Sequence, residues 1–256
     1  QILLYEALNL STPHFAHTPL ILNTEGKKLS KRDSVTSISD FKEMGYTSEA
    51  LFNYMTLLGW SPPEGMDERF DLSSAIKVFS FDRVNKAGAK FDWEKLNWLN
   101  SQVIHEWNEE KLFECINEYW VKKGWKIHSK EWGLELAKLI GPSLILLKDS
   151  INQAQPFFEE PVLRDDAIKQ INSEGAKKSL EIVLNELEKT PWDGIDINKA
   201  KNIINTSMAL AEVKKGLIMK TLRAAFLGQL KGHDLISSWS LLAITKEDKK
   251  RIRRCL

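Results

Sequence analysis

Leu20-Ile21-Leu22-Asn23-Thr24-Glu25-Gly26-Lys27-Lys28-Leu29-Ser30-Lys31-Arg32-Asp33 is the most informative stretch of this 256-residue chain. A short apolar strand, Pro19-Leu20-Ile21-Leu22, runs into a Glu25-Gly26 turn and then into a cluster of cations, Lys27, Lys28, Lys31 and Arg32. If the segment after the turn curls with helix-like geometry, Lys28 and Lys31 fall on one side and Leu29 anchors the other. Ser30 adds a hydroxyl donor beside them. Such a loop can hold a polyphosphate, because fixed cations stabilise the charge on a departing pyrophosphate. It does not match the Walker pattern, since no second Gly stands five residues upstream of Gly26. The bland alternative is a solvated Lys-rich surface loop.

Downstream of residue 37 the apolar period is helical. Thr47 is placed to cap a helix with Leu51, Tyr54, Met55 and Leu58 that ends at Gly59. Asp71 is placed to cap one with Leu72, Ala75, Ile76 and Phe79, and Asp92 one with Trp93, Leu96, Leu99 and Val103. Asn108 starts a helix with Leu112, Phe113, Ile116 and Trp120, closed by Gly124. Ser129 starts another, interrupted at Gly141-Pro142. Gln155 to Asp166 is Pro- and acid-rich and reads as a connection. A helix with Leu180, Val183, Leu184 and Leu187 follows, then the turn Thr190-Pro191-Trp192-Asp193-Gly194, then a helix from Asp196 towards Val213. Gly216, Gly228 and Gly232 punctuate the remainder. Thr245 with Asp248 predicts a capping box for the last, basic helix. No alternating run of strand length occurs after residue 37. Gln1 to Leu8 reads as the middle of a helix with no cap before it, which predicts the carboxy-terminal part of a longer protein.

Composition sets the class. Hydrophobic residues make up 43% and charged residues 28%, an ordinary mixture for a globular chain. The apolar runs are too short for a membrane-spanning helix. With no secretory signal and two cysteines, Cys115 and Cys255, a reducing cytoplasm is expected. His14 and His17 are three residues apart without a third ligand nearby, so no protein-bound metal is expected. The net charge of +1 hides a gradient: residues 199–256 carry thirteen basic and four acidic side chains, and residues 101–198 carry twelve and eighteen. A tail of +9 attracts polyanions by counterion release, although it could also be a plain solvated face. Trp93, Trp98, Trp107, Trp120, Trp125 and Trp132 crowd one region. They read as core packing or as a base-stacking platform, with Trp125 and Trp192, both in turns, the better candidates for exposure.

Lys28-Leu29-Ser30-Lys31-Arg32 resembles the Lys-Met-Ser-Lys-Ser signature of class I aminoacyl-tRNA synthetases, in the variant typical of bacterial glutamyl-tRNA synthetases. The neighbouring segments are similar in order and spacing: His14 to Leu22 before it, then Phe41 to Tyr46, Ala50 to Trp60, Phe81 to Lys86 and Phe91 to Asn100. The similarity is close over residues 1–105, thinner to about 195, and returns at Lys220 to Ala225.

The resemblance implies a mainly α protein. Residues 1–37 would be the tail of a Rossmann-type catalytic domain with the ATP-signature loop, and 38–105 a helical stem-contact domain. Residues 106–256 would be an all-helical anticodon-binding domain of two subdomains, split near 165–195. The parent enzyme would activate L-glutamate with ATP, accompanied by magnesium, and transfer it to the tRNA 3′ end. It would be a monomer without membrane contact. Lys31 would contact the ATP phosphates, helped by Lys28 and Ser30, with Leu29 and Arg32 completing the loop. The His-Ile-Gly-His-type signature and the glutamate-binding residues are not in this chain, so by itself it is expected to be inactive. A stand-alone helical tRNA-binding module is the alternative. For tRNA contacts, Lys148 stands where the family commonly has Arg, which would relax discrimination between glutamate and glutamine tRNAs. Lys220 and Arg223, three apart on a helix, would meet phosphates or bases.

Overall fold

The computed structural model describes residues 1–23, 25–28, 37–189 and 194–256. The chain divides into two compact units, Gln1–Val103 and Ile104–Leu256. The first contains α1 (Ile2–Ala7), β1 (Ile21–Leu22), α2 (Ile38–Met44), α3 (Ser48–Gly59), α4 (Leu72–Val78), β2 (Ala89–Lys90) and the bulk of α5 (Trp93–Glu106). Its helix starts are those the sequence signals. The Thr47 hydroxyl accepts the Ala50 amide at 3.2 Å, Asp71 accepts that of Ser74 at 2.7 Å, and Asp92 that of Lys95 at 3.0 Å.

The centre of this unit is aromatic. Phe91 lies 6.0 Å from Phe41, 5.0 Å from Tyr54 and 4.7 Å from Trp93, ring centre to ring centre. Polar groups inside it are matched. Fully buried Asn53 donates to the Glu68 carbonyl and accepts the Phe70 amide, which pins the loop after α3. The Tyr54 hydroxyl accepts the Asp92 amide at 2.5 Å, and burial pushes its pKa up to about 12.

Two helix faces differ from expectation. Met55 is exposed, and the buried face of α3 is Ala50, Leu51, Tyr54 and Leu58 together with Asn53. On α4 only Ala75 is buried, while Leu72, Ile76 and Phe79 face outward. The helix spans seven residues and meets the small core of Trp60 and Phe70 through that one alanine, with Phe79 just past its end laid on Trp60 but half exposed, so Leu72 and Ile76 lie beyond reach. A two-residue strand also follows residue 37, where the sequence shows no alternating run of strand length. Ala89-Lys90 pairs in parallel with Ile21-Leu22, too short a run for alternation to reveal. Gly88 permits the approach: a Cβ there would come within 2.9 Å of Leu22 Cδ1.

The second unit is helical among its described residues: α6 (Glu109–Lys122), α7 (Lys130–Ile140), α8 (Ser150–Phe158), α9 (Asp165–Ile171), α10 (Ala176–Lys189), α11 (Ile197–Ala211), α12 (Lys215–Leu227), α13 (Leu235–Ile244) and α14 (Glu247–Cys255). The expected connection at Gln155 to Asp166 is in fact the end of α8, a short link and the start of α9. Pro156 sits inside α8. An interior proline costs about 3 kcal/mol, yet burying Phe157 and most of Phe158 offsets a cost of that size.

Tryptophans build this core. Trp120 and Trp132 are buried and donate to the carbonyls of Ser150 and Leu241 at 3.3 and 3.1 Å. Phe158 stands 5.3 Å from each and 4.7 Å from Trp125. Trp125, expected to be exposed, is therefore stacked on Phe158, and its indole N–H donates to Glu159 at 2.8 Å. Trp98 is the exposed one, at 47%, and Trp192 lies outside the described residues. Most of the cluster is core and not a stacking platform.

The capping box at the last helix is absent. Lys246 holds the N-cap position in the left-handed region, at φ 61°. The Thr245 hydroxyl donates backwards to the Leu242 carbonyl, and Asp248 is fully buried, accepting the Trp239 indole N–H at 3.1 Å. Burial holds the Asp248 carboxyl above the usual range. Burying the Trp239 ring requires an acceptor for its N–H, and that requirement outranks a surface cap.

Candidate nucleotide loop and nucleic-acid interface

The approach to the cationic loop is a tied-off turn. The Asn23 side-chain oxygen accepts the amides of Glu25 and Lys27 at 3.1 and 2.9 Å. The Asn23 amide donates to the Lys27 carbonyl at 2.7 Å, and the Gly26 amide to the Asn23 carbonyl at 2.9 Å. Gly26 takes φ 79°, a left-handed conformation that glycine adopts without strain. Lys28 bridges antiparallel to Leu22, so the chain doubles back beside β1. Lys27 and Lys28 are exposed, and Lys27 is paired with Glu25 at 2.9 Å. Lys28 thus has a fixed backbone, and its ammonium makes no ion pair with a described residue. Leu29, Ser30, Lys31 and Arg32 lie outside the described residues, as does the expected helix-like curl.

The basic tail separates into two populations. In α14 the cations are engaged. Arg251 is buried and donates to the Phe226 carbonyl at 2.5 Å and the Glu159 carbonyl at 3.1 Å, and burial holds its guanidinium down to about 10. Arg253 pairs with Glu188 at 2.6 Å, Arg254 with Glu160, and Lys250 with Glu247 at 3.2 Å. Lys201, Lys214, Lys215, Lys220 and Lys231 differ. They are exposed and make no ion pair with a described residue. They belong to α11, the α11–α12 junction, α12 and the turn after it, so the basic tail's charge without an ion pair among the described residues lies there more than in its last helix.

Lys214 and Lys220 also flank a groove of about 450 Å³ that Gln170, Ser173, Val213, Gly216 and Leu217 complete. Lys214, at the N-cap of α12, provides no side-chain cap. The first-turn amides of a helix are unpaired within it and favour anions. Of the expected contacts, Lys220 lies on the wall of this groove, in the second turn of α12. Arg223 is not equivalent to it: half-buried, it donates to the His233 carbonyl at 2.5 Å, which holds the turn after α12. Lys148 is exposed in a short 3-10 turn, without an ion pair among the described residues. His14 and His17 are exposed, and among the described residues no three His, Cys, Asp or Glu side chains converge as a metal site would need. Lys201, Lys214, Lys215 and Lys231 were missed as individuals. Carboxylate spacing does not single them out: Lys250 has Glu247 three residues back, but Lys215 has Glu212 and Lys231 has Asp234 at the same spacing.

Comparison with known proteins agrees with this layout. Residues 1–98 match the family described as tRNA synthetases class I (E and Q), catalytic domain, and residues 111–256 match the anticodon binding domain. The glutamate–tRNA ligase of Synechococcus sp. (strain CC9311) is 59% identical over 256 residues, covering all of this chain and 54% of the relative. That of Prochlorococcus marinus (strain MIT 9303) is likewise 59% identical, with the same coverage. The chain thus spans about half the length of the curated relatives it matches. The crystal structure of a glutamate tRNA ligase from Elizabethkingia meningosepticum CCUG26117, in complex with its amino acid, superposes with a TM-score of 0.84 at 28% identity, over 99% of this chain and 53% of that one. Since the anticodon binding domain model matches more than half its length, the chain belongs to that anticodon-binding family, and its identity to these glutamate–tRNA ligases extends from end to end.

Proposed function

We propose that the chain works as part of a glutamate–tRNA ligase, which activates L-glutamate with ATP and transfers it to the 3′ end of tRNA. In this reading the second unit holds the anticodon arm, and segment 28–32 grips the ATP phosphates. The carrying observation is the 59% identity over the whole chain, together with exposed, unpaired lysines on the anticodon-binding unit. The reading includes the three-way division at residues 37 and 105, the subdomain split near 165–195, a cytoplasmic monomer, and a choice between glutamate and glutamine tRNAs influenced by Lys148. No described helix is long and apolar enough to cross a membrane.

Glutamate attacks the α-phosphorus in line and pyrophosphate departs. Protein groups contribute chiefly position and charge to such a step. Lys28 and Lys31 would neutralise the charge growing on the leaving group, Ser30 would donate a hydrogen bond, and the Asn23 turn would keep Lys28 from retreating. Magnesium would arrive on the ATP phosphates, since among the described residues no three His, Cys, Asp or Glu side chains converge to hold it. Lys31→Ala in the complete ligase should slow ATP–pyrophosphate exchange by about a hundredfold, the size expected for losing one preorganised charge donor. Affinity for tRNA should hardly change. An unaltered exchange rate would remove Lys31 from this role.

A further inference from the structure

We propose that Phe79 and Phe81, with Lys77, Arg83 and Lys86 around them, form an RNA-stacking contact on the first unit. The proposal deepens the tRNA-binding reading and rests on it. Both rings are displayed and not buried: Phe79 is 48% exposed and Phe81 71%. They sit edge to face, 5.4 Å between centres, and because Phe79 also lies against Trp60, Phe81 offers the more open ring.

The display is rigid. Trp60 and Val84 form an antiparallel bridge, the Ser61 amide donates to the Arg83 carbonyl at 3.0 Å, and the Asn85 amide to the Gly59 carbonyl at 2.9 Å. Ser80 caps the 3-10 turn Phe81–Arg83 through its hydroxyl. Phe79 stacks on Trp60 at 6.1 Å, and the buried Trp60 indole N–H has no acceptor among the described residues. An exposed aromatic on a backbone tied this firmly does not move to cover itself.

Charge identifies the occupant. Lys77, Arg83 and Lys86 are exposed and lie within five residues of a ring, against one carboxylate, Asp82, in the same segment. Residues 47–100 as a whole carry six basic and eight acidic side chains, so this local excess runs against its surroundings. A protein covering these rings would have to desolvate or pair three cations, a cost for each ion left unpaired. RNA supplies both complements: a base face for the ring and phosphates for the cations.

The test measures affinity of the 256-residue chain for a glutamate-accepting tRNA transcript. Phe81→Ala should weaken binding about 5- to 100-fold, the range for losing one base–aromatic stack, and Phe81→Trp should restore it. Phe81→Leu keeps apolar area without a π face and should bind as weakly as the alanine variant. Folding is checked by circular dichroism, which an exposed position should not disturb. If the unaltered chain fails to bind tRNA, the tRNA-binding reading falls and takes this proposal with it. If the unaltered chain binds and Phe81→Ala binds equally well, the stacking contact alone is wrong. Leucine as effective as tryptophan, or self-association of the chain abolished by Phe81→Ala with tRNA affinity intact, assigns the rings to protein packing and also overturns it.

Discussion

Arg251→Met tests how the second unit is locked. The guanidinium donates to two carbonyls, Phe226 at the end of α12 and Glu159 between α8 and α9. Hydrogen bonds from a charged donor contribute about 1.5–3 kcal/mol each, so roughly 3–6 kcal/mol is at stake. Against this stands the burial of the charge. Holding the guanidinium at about 10 and not 12.5 corresponds to roughly 3 kcal/mol. The two contributions nearly cancel, and the stranded carbonyls decide the sign. Each would cost about 1–3 kcal/mol if left dry. A cleft of about 490 Å³ lined by Arg251 and Glu159 lets water reach the Glu159 side and lowers that cost, whereas Phe226 is fully buried. The net expectation is a loss of about 2–3 kcal/mol. At about 2–4 °C per kcal/mol for a unit of this size, Tm should fall by roughly 5–10 °C. Thermal unfolding followed by tryptophan fluorescence reads this directly, since Trp120, Trp132 and Trp239 lie in that core. A shift below about 2 °C, or a rise, would mean that Arg251 does not join these helices as argued.

Two predictions concern titration. Tyr54 has a folded pKa of about 12 against an ordinary 10.0, chiefly from burial, so the unfolded chain releases its proton first. Its contribution is complete below pH 10 and is lost as pH rises towards 12, by up to about 3 kcal/mol. Urea unfolding across that range should show the decline, and Tyr54→Phe should flatten it; equal slopes would contradict the assignment. The Asp248 carboxyl is also raised by burial, so it stabilises most at pH values where even the unfolded chain is protonated and less as pH rises through its folded value. Asp248→Asn, which can still accept from Trp239, should therefore raise stability at neutral pH and lose that advantage in acid. A destabilised variant at pH 7 would show that the charge itself is needed.

Most helices were legible in the sequence because cap and period agree. Thr47, Asp71, Asp92, Asn108, Ser129 and Asp196 all accept the amide three residues on. What failed was burial that depends on a partner distant in sequence. Leu72 and Ile76 have the spacing of a core face but no core to meet, and Trp125 in a turn finds Phe158 through the fold. The Thr245–Asp248 spacing was overridden by the Trp239 indole, which no local pattern announces. The same limit applies to the interface. Net charge pointed to the basic tail, but only geometry separates arginines held by Glu188 and Glu160 from lysines left to solvent. The strand and turn before Lys28 were read correctly from Leu20-Ile21-Leu22 and Glu25-Gly26, because that signal is local.

The central claim is that the unpaired lysines of α11, α12 and the adjoining turns receive RNA phosphates. It is tested by measuring the affinity of the chain for an anticodon stem-loop against salt concentration. If most of Lys201, Lys214, Lys215, Lys220 and Lys231 neutralise phosphates, log K should fall with log salt at a slope of about −3 to −4. Changing Lys214, Lys215 and Lys220 together to Gln should make the slope shallower by about 2, whereas Lys250→Gln, already paired with Glu247, should leave it unchanged. A slope near zero, or one that responds to Lys250 and not to the α12 lysines, would contradict the account.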